Sequence, residues 1–267
     1  MMIKPLAWLA CITALGAGST AGAAPSDVIA DLAPGGTLKA AINYGNTVLA
    51  QKDAAGGEPR GVSADLAREL GRRLGVPVKF VAFDAAGKVF DALKSGAWDI
   101  AFLAIEPERA AEIAFSAPYV LIEGTYMVKA ESPLRRIEDV DRDGIRIAVG
   151  NKSAYDLFLT RNIKHASIVR ESTSPGAIER FIKDGLECVA GVRQPLESYA
   201  AAHPGLRVMN ARFMAIEQAV GTPGGRRAGA AYLHGFVEEM KASGFVASAL
   251  QRSGQTGATV APPSAQR

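Results

Sequence analysis

Apolar residues recur along this chain in two rhythms that take turns. From Thr37 to Tyr44, Leu38, Ala40 and Ile42 fall on one side, the two-residue period of a strand. From Ala64 to Leu74 the period lengthens: Leu66, Leu70 and Leu74 share a helical face, and Gly75 ends it. The β-branched run from Val76 to Phe83 predicts a second strand. Gly87 to Ser95 predicts a helix with Val89, Phe90 and Leu93 facing inward. Asp99 to Ala104 reads as a short buried strand and Tyr119 to Val128 as a longer one.

The order then begins again. Ile145 to Val149 predicts a strand, and Ser153 to Leu159 a helix capped by Ser153, with Asp156 completing a capping box. Ser167 to Arg170 reads as a strand. Pro175 to Asp184 reads as a helix with Pro in its first turn and Gly185 at its end. A strand from Cys188 to Val192 and a helix from Gln194 to Ala202 follow, then a short strand from Gln218 to Gly221. Ala228 to Ser243 and Phe245 to Arg252 are amphipathic helices. The stretch 253–267 is rich in Gly, Pro, Ser and Thr, which predicts a disordered tail.

Strands alternating with helices imply an α/β fold with largely parallel sheets. The restart near residue 130 implies a second lobe, and the last helices are too few for a third, so they return to cover the first. The expected organisation is lobe 1 from 37–128 and 219–252, and lobe 2 from 129–218. Crossings near Met127 to Ala130 and Gln218 to Gly221 then act as a hinge beside a cleft. In open α/β sheets ligands bind beyond the carboxyl ends of the strands, which places the site in that cleft.

The amino terminus adds a compartment. Lys4 precedes an apolar stretch from Leu6 to Ala17, broken only by Thr13 and Gly16, and Ala21-Gly22-Ala23 offers a cleavage site. The apolar run is shorter than the roughly 20 residues that span a bilayer. Residues 1–23 are therefore expected to be a cleaved signal peptide and the protein to be periplasmic. A buried N-terminal helix is one alternative. A lipoprotein acylated at Cys11 is another, although Trp8 stands where a small aliphatic residue is wanted.

Cleavage removes Lys4 and takes the net charge from +3 to +2, which gives no case for nucleic acid or a membrane surface as partner. It also leaves Cys188 as the only cysteine, so no intramolecular disulfide forms. Cys188 opens the apolar run Cys188-Val189-Ala190 and is expected in the core. With His165, His203 and His234 scattered, it makes no metal set, and no G-x-S-x-G elbow supports a triad hydrolase. No cofactor is implied.

Glu106-Pro107-Glu108-Arg109 followed by Phe115-Ser116-Ala117-Pro118-Tyr119 resembles the T-x-x-R and F-S-x-P-Y pattern of family 3 bacterial solute-binding proteins. The stretch from Gly61 to Leu66 is similar to that family's G-F-x-x-D-L helix entry, and Ile147 to Ser153 to the opening of its second lobe. The resemblance covers roughly Thr37 to Arg252. It implies a type II periplasmic-binding-protein clamp that captures a small carboxylate-bearing solute by hinge closure, as a monomer, and delivers it to the membrane permease of an ABC importer. It also implies that Arg109 grips the carboxylate, for which its planar fork is suited. The alternative is a surface Arg paired with Glu106 or Glu112. Ser153 and the backbone of Ala154 and Tyr155 would close over the same carboxylate at a helix N-terminus; Ser153 could equally be an ordinary cap. Tyr44 and Asn46 stand where the family contacts its ligand, although Gly45-Asn46 is also a turn pair. Asp65 is expected to brace its helix.

Three departures change the expected ligand. Ala101 to Ala104 lacks the family's hydroxyl residues, leaving backbone groups near Ala104. The first strand ends without an acid. Val192-Arg193 stands where an Asp would hold a ligand ammonium. A buried ammonium without an anion is very costly. Arg193 adds a cation at a helix start, where the dipole disfavours it unless an anion binds; pairing with Glu197 is the alternative. A small organic acid, or an amino acid with a second acidic group, is therefore expected. An enzyme of the cyclohexadienyl dehydratase kind on the same fold is the competing reading, but no acid follows Val192 before Glu197.

Overall fold

Strand β1 (Leu38–Asn43) is the seed of the first half of the molecule in this computed structural model, which describes residues 24–53 and 55–264. The expected signal peptide lies outside the described residues. β1 pairs in parallel with β2 (Val78–Phe83) on one side and β3 (Ile100–Ala104) on the other. Helix α1 (Ser26–Leu32), which no periodicity in the sequence singled out, docks on a helix near the other end of the chain. Helix α2 (Val62–Leu74) buries Leu66, Leu70 and Leu74, and Gly75 stops it in a left-handed conformation with φ 68°. Helix α3 (Ala86–Asp91) and the single turn α4 (Pro107–Ala110) follow β2 and β3.

The second half repeats the plan. β5 (Arg146–Gly150) pairs in parallel with β6 (Ser167–Glu171) and β7 (Cys188–Val192). Helices α5 (Ala154–Asn162), α6 (Ser174–Lys183) and α7 (Arg193–Ala202) follow those strands in turn. Cys188 is fully buried, and burial drives its thiol far above the ordinary range, so it is a core residue and no nucleophile.

Two long strands join the halves: β4 (Ile113–Lys129) and β9 (Met214–Pro223). The sheet runs β2-β1-β3-β9-β4-β7-β5-β6, with the short β8 (Leu206–Val208) also pairing with β4. Each half thus completes its sheet with a strand borrowed from the far side: β9 lies against β3, and β4 against β7. β4 begins before the expected Tyr119. The Phe115 to Tyr119 segment is itself strand, with irregular register around Pro118, where the Ser116 hydroxyl accepts the Val220 N–H at 3.1 Å. A period-two reading fails across such a bulge.

The final helices, α8 (Arg227–Ala242) and α9 (Phe245–Arg252), return to the first half. α8 receives α1: Asp31 accepts the Gly229 N–H at 2.9 Å, and Asp65 on α2 pairs with Arg252 of α9 at 2.8 Å. For residues 253–264 the expectation of a disordered tail is corrected here; the last three of the expected tail lie outside the described residues. Thr259–Val260 forms strand β10, antiparallel to Leu121 and Val120 of β4. Ala261, 2% exposed, donates to the Tyr119 carbonyl at 3.1 Å, and Ser264 bonds Glu238. Composition misjudged this segment because a sheet edge recruits backbone, which every residue type carries. Ending the chain after Gln255 is therefore expected to lower the thermal midpoint by about 2–4 °C per kcal/mol lost. Circular dichroism on the truncated chain checks this, and an unchanged midpoint would show the docked tail to be thermodynamically idle.

Candidate functional site

The carboxyl ends of four strands, two from each half, converge on one cavity. Asn43 ends β1, Ala104 ends β3, Gly150 ends β5 and Val192 ends β7, and all four line it. The loops leaving β2 and β6 add Ala85 and Thr173, and β9 contributes Ile216 and Gln218. The accessible space is about 40 Å³, room for roughly three to four waters at about 10–15 Å³ each.

Arg109 lines it, 1% exposed, on the turn that follows β3. Its Nη1 donates to the Ala104 carbonyl at 3.0 Å and its Nη2 to the Lys152 carbonyl, across in the other half, at 2.8 Å. Among the described residues no carboxylate comes within 4.0 Å of it. Glu106 is committed elsewhere, to Arg161 of α5 at 2.6 Å. Burial pushes the guanidinium down to about 10, against the more distant Glu106 and Glu108, so it stays charged at neutral pH.

The facing wall comes from the β5–α5 turn. Lys152 is the one described non-glycine residue with positive φ, at 54°. That strained conformation turns its carbonyl toward Arg109 while its N–H donates to Asp156 at 2.8 Å. The capping box is thus half as expected. Ser153 Oγ does accept the Asp156 N–H at 3.1 Å, but the Asp156 carboxylate serves Lys152 and Arg170 and leaves the Ser153 N–H to the Gly150 carbonyl. Ala154 and Tyr155 open α5, where N–H groups have no earlier helical carbonyl to reach. The Tyr155 hydroxyl donates to Ser174 at 2.6 Å, and burial raises its pKa.

Asn46 lines the cavity at 9% exposure, and its buried Oδ1 has no partner among the described residues. Ala104 is present through its backbone. Tyr44 and Arg193 are not among the cavity's lining residues. Tyr44 lines an adjoining groove of about 470 Å³ with Tyr199 and His203, and Gly45 and Ser174 belong to both. Arg193 is spent on Glu123 at 2.6 Å and on the carbonyls of Met209 and Asn210 at 3.0 and 2.8 Å; Glu197 is farther, at 3.5 Å. Tyr44 follows Asn43, the last residue of β1, which takes the cavity in its place. Arg193 opens α7 after Val192, which lines the cavity, and Glu123 with two carbonyls claims its guanidinium. Asn43 and Gly150, the last residues of β1 and β5, and Thr173, two beyond β6, also line the cavity and were passed over; the carboxyl ends of the strands are the signal that could have found them.

Besides the Arg109–Lys152 bond, three further contacts tie the halves together here. Lys152 Nζ reaches Asp91 at 2.7 Å, Arg161 reaches Glu106, and Gly87 of α3 abuts the β5–α5 turn. A Cβ on Gly87 would stand 2.8 Å from Lys152 Cβ and 3.1 Å from the Asn151 carbonyl oxygen.

Among the described residues no helix is long and apolar enough to cross a membrane, and no cluster of His, Cys, Asp or Glu is placed to hold a metal ion. Two α/β halves joined by paired strands, with the site between them, are the architecture of type II periplasmic binding proteins. The chain belongs to the bacterial extracellular solute-binding proteins, family 3, whose model matches residues 39–255. Its fold is shared with a mutant ArgBP from T. maritima, at a TM-score of 0.73 and 20% identity over 84% of this chain and 98% of that one. A solute receptor for L-cysteine of Neisseria gonorrhoeae matches at 0.72 and 20%, over 82% of this chain and 89% of its own. An ancestral amino-acid-binding protein, described as a precursor of cyclohexadienyl dehydratase, matches at 0.69 and 22%, over 81% and 94%. At these identities the likeness is one of fold.

Proposed function

We propose that this protein is the periplasmic substrate-binding component of an ABC importer. It captures a small carboxylate-bearing solute at Arg109, closes around it and presents it to a membrane permease. One observation carries the reading: a fully buried guanidinium that has two backbone carbonyls and no counter-ion among the described residues. Buried charges are paired or pay heavily. A carboxylate supplies the missing anion, and the first N–H groups of α5 add donors to it from the other half.

Closure follows from the same geometry. Arg109 belongs to one half and α5 to the other, so a ligand touching both stabilises the closed arrangement over an open one. The hinge lies where β4 trades β10 for β7, between Leu121 and Gly124, with β9 opposite at Met214 to Glu217. Each point lies a few residues before the crossing expected from sequence, Met127 to Ala130 and Gln218 to Gly221, stretches that pair within one half each.

Capture without chemistry is favoured over dehydration. Arg109 and Tyr155 are the only ionisable side chains among the described lining residues, and the Tyr155 proton is engaged by Ser174. Glu197 is outside, near Arg193. Titration calorimetry with small acids, each paired with its amide, tests the proposal. An acid should bind and its amide should not, with small-angle scattering showing compaction. Equal binding of acid and amide would refute the carboxylate reading.

A further inference from the structure

We infer that the solute is a compact hydroxy acid: one carboxylate and a neutral hydroxyl, with no ammonium. This rests on the capture reading above and names the ligand class for the same site. The first support is charge. Arg109 is the only formally charged side chain among the described lining residues, so a monoanion brings the closed cavity to neutrality. A zwitterion would leave one positive charge there with no acid to receive its ammonium. The nearby buried carboxylates are occupied, Glu106 by Arg161 and Asp156 by Arg170 and the Lys152 N–H, and Glu179, the acid on the adjoining groove, is solvent-exposed. An unpaired buried ammonium is among the costliest groups a site can enclose.

The second support is Asn46. Its side chain is nine-tenths buried, lines the cavity, and carries an unpartnered Oδ1. A buried amide left unsatisfied is a penalty that the ligand removes. A plain alkanoate offers it nothing, and a keto group only accepts. A hydroxyl both donates and accepts, so it satisfies the Asn46 amide whichever way its oxygen and nitrogen are assigned. The Gln218 side chain, also buried against the cavity, is a further polar partner. Size is the third support. The 40 Å³ of accessible space corresponds to roughly three to four waters of about 30 Å³ each in the liquid, the bulk of an acid with a short carbon chain.

Calorimetry on the full protein with isosteric sets decides: glycolate against glycine and acetate, and lactate against alanine and propionate. In at least one set the hydroxy acid should bind about a hundred-fold more tightly than either relative. Asn46→Leu should erase the preference over the deoxy acid, and Asn46→Asp should reverse the preference over the amino acid. Should the amino acids or deoxy acids bind as well as the hydroxy acids, the inference is overturned. Capture by carboxylate still stands in that case if Arg109→Met abolishes their binding. If no acid binds, both readings fall.

Discussion

Arg109→Met is expected to weaken binding of any carboxylate solute by about 2–5 kcal/mol, roughly thirty-fold to several-thousand-fold in Kd. The Met side chain fills similar space but cannot neutralise an anion, so a carboxylate entering the closed cavity would be the unpaired charge. It also loses the bond from Nη2 to the Lys152 carbonyl, one of the contacts that span the halves. The unliganded protein should tolerate the change, because the guanidinium is buried without a carboxylate partner and its desolvation opposes folding. Its thermal midpoint should stay within a few degrees of the parent's, read by calorimetry alongside the Kd. Arg109→Lys should fare little better, since a point charge cannot hold the carbonyls of Ala104 and Lys152 and fork onto a ligand as well. Unaltered affinity in the Met variant would mean that the solute binds elsewhere.

Gly87→Ala is expected to impair closure without harming the half that carries it. In α3 the change gains up to about 1 kcal/mol of helix propensity. Across the cleft it brings a methyl within 2.8 Å of Lys152 Cβ and 3.1 Å of the Asn151 backbone oxygen, a group that moves only with its turn. Overpacking of this kind costs about 1–3 kcal/mol, and here the cost falls on the closed state alone. Solute affinity should drop by roughly 5- to 150-fold. Small-angle scattering should show a larger radius at partial saturation, while the unliganded melting point holds or rises. A fall in melting point with affinity intact would place the clash inside the fold instead.

The alternation of rhythms made most of the architecture legible. β1, β2, β3, β5, β6 and β7 lie within a residue or two of the runs that predicted them, because each is a short apolar segment bounded by turn residues. α1 and β10 stayed hidden. α1 is seven residues long with two buried positions, too few for a periodicity, and β10 is held by another strand's backbone. The site divided along a similar line. Arg109, Ser153, Ala154, Tyr155, Asn46 and Ala104 stand around the cavity because each follows a strand at the end where loops converge. Tyr44 follows β1 and Arg193 opens α7, yet neither is among the lining residues. The partner that occupies Arg193, Glu123, is seventy positions away in sequence and invisible to any local pattern. Glu106 and Arg161, fifty-five apart, met for the same reason.

The exchange of strands between halves has a consequence for biogenesis. Beside β1, β3 finds its second neighbour only in Met214–Pro223, residues made after the strands of the second half. Until that segment emerges from the ribosome, the first half carries an open edge, and long-range pairing of this kind is slow to form. A growing chain that cannot lock its first half early remains threadable, which is the state that export to the proposed periplasmic location requires.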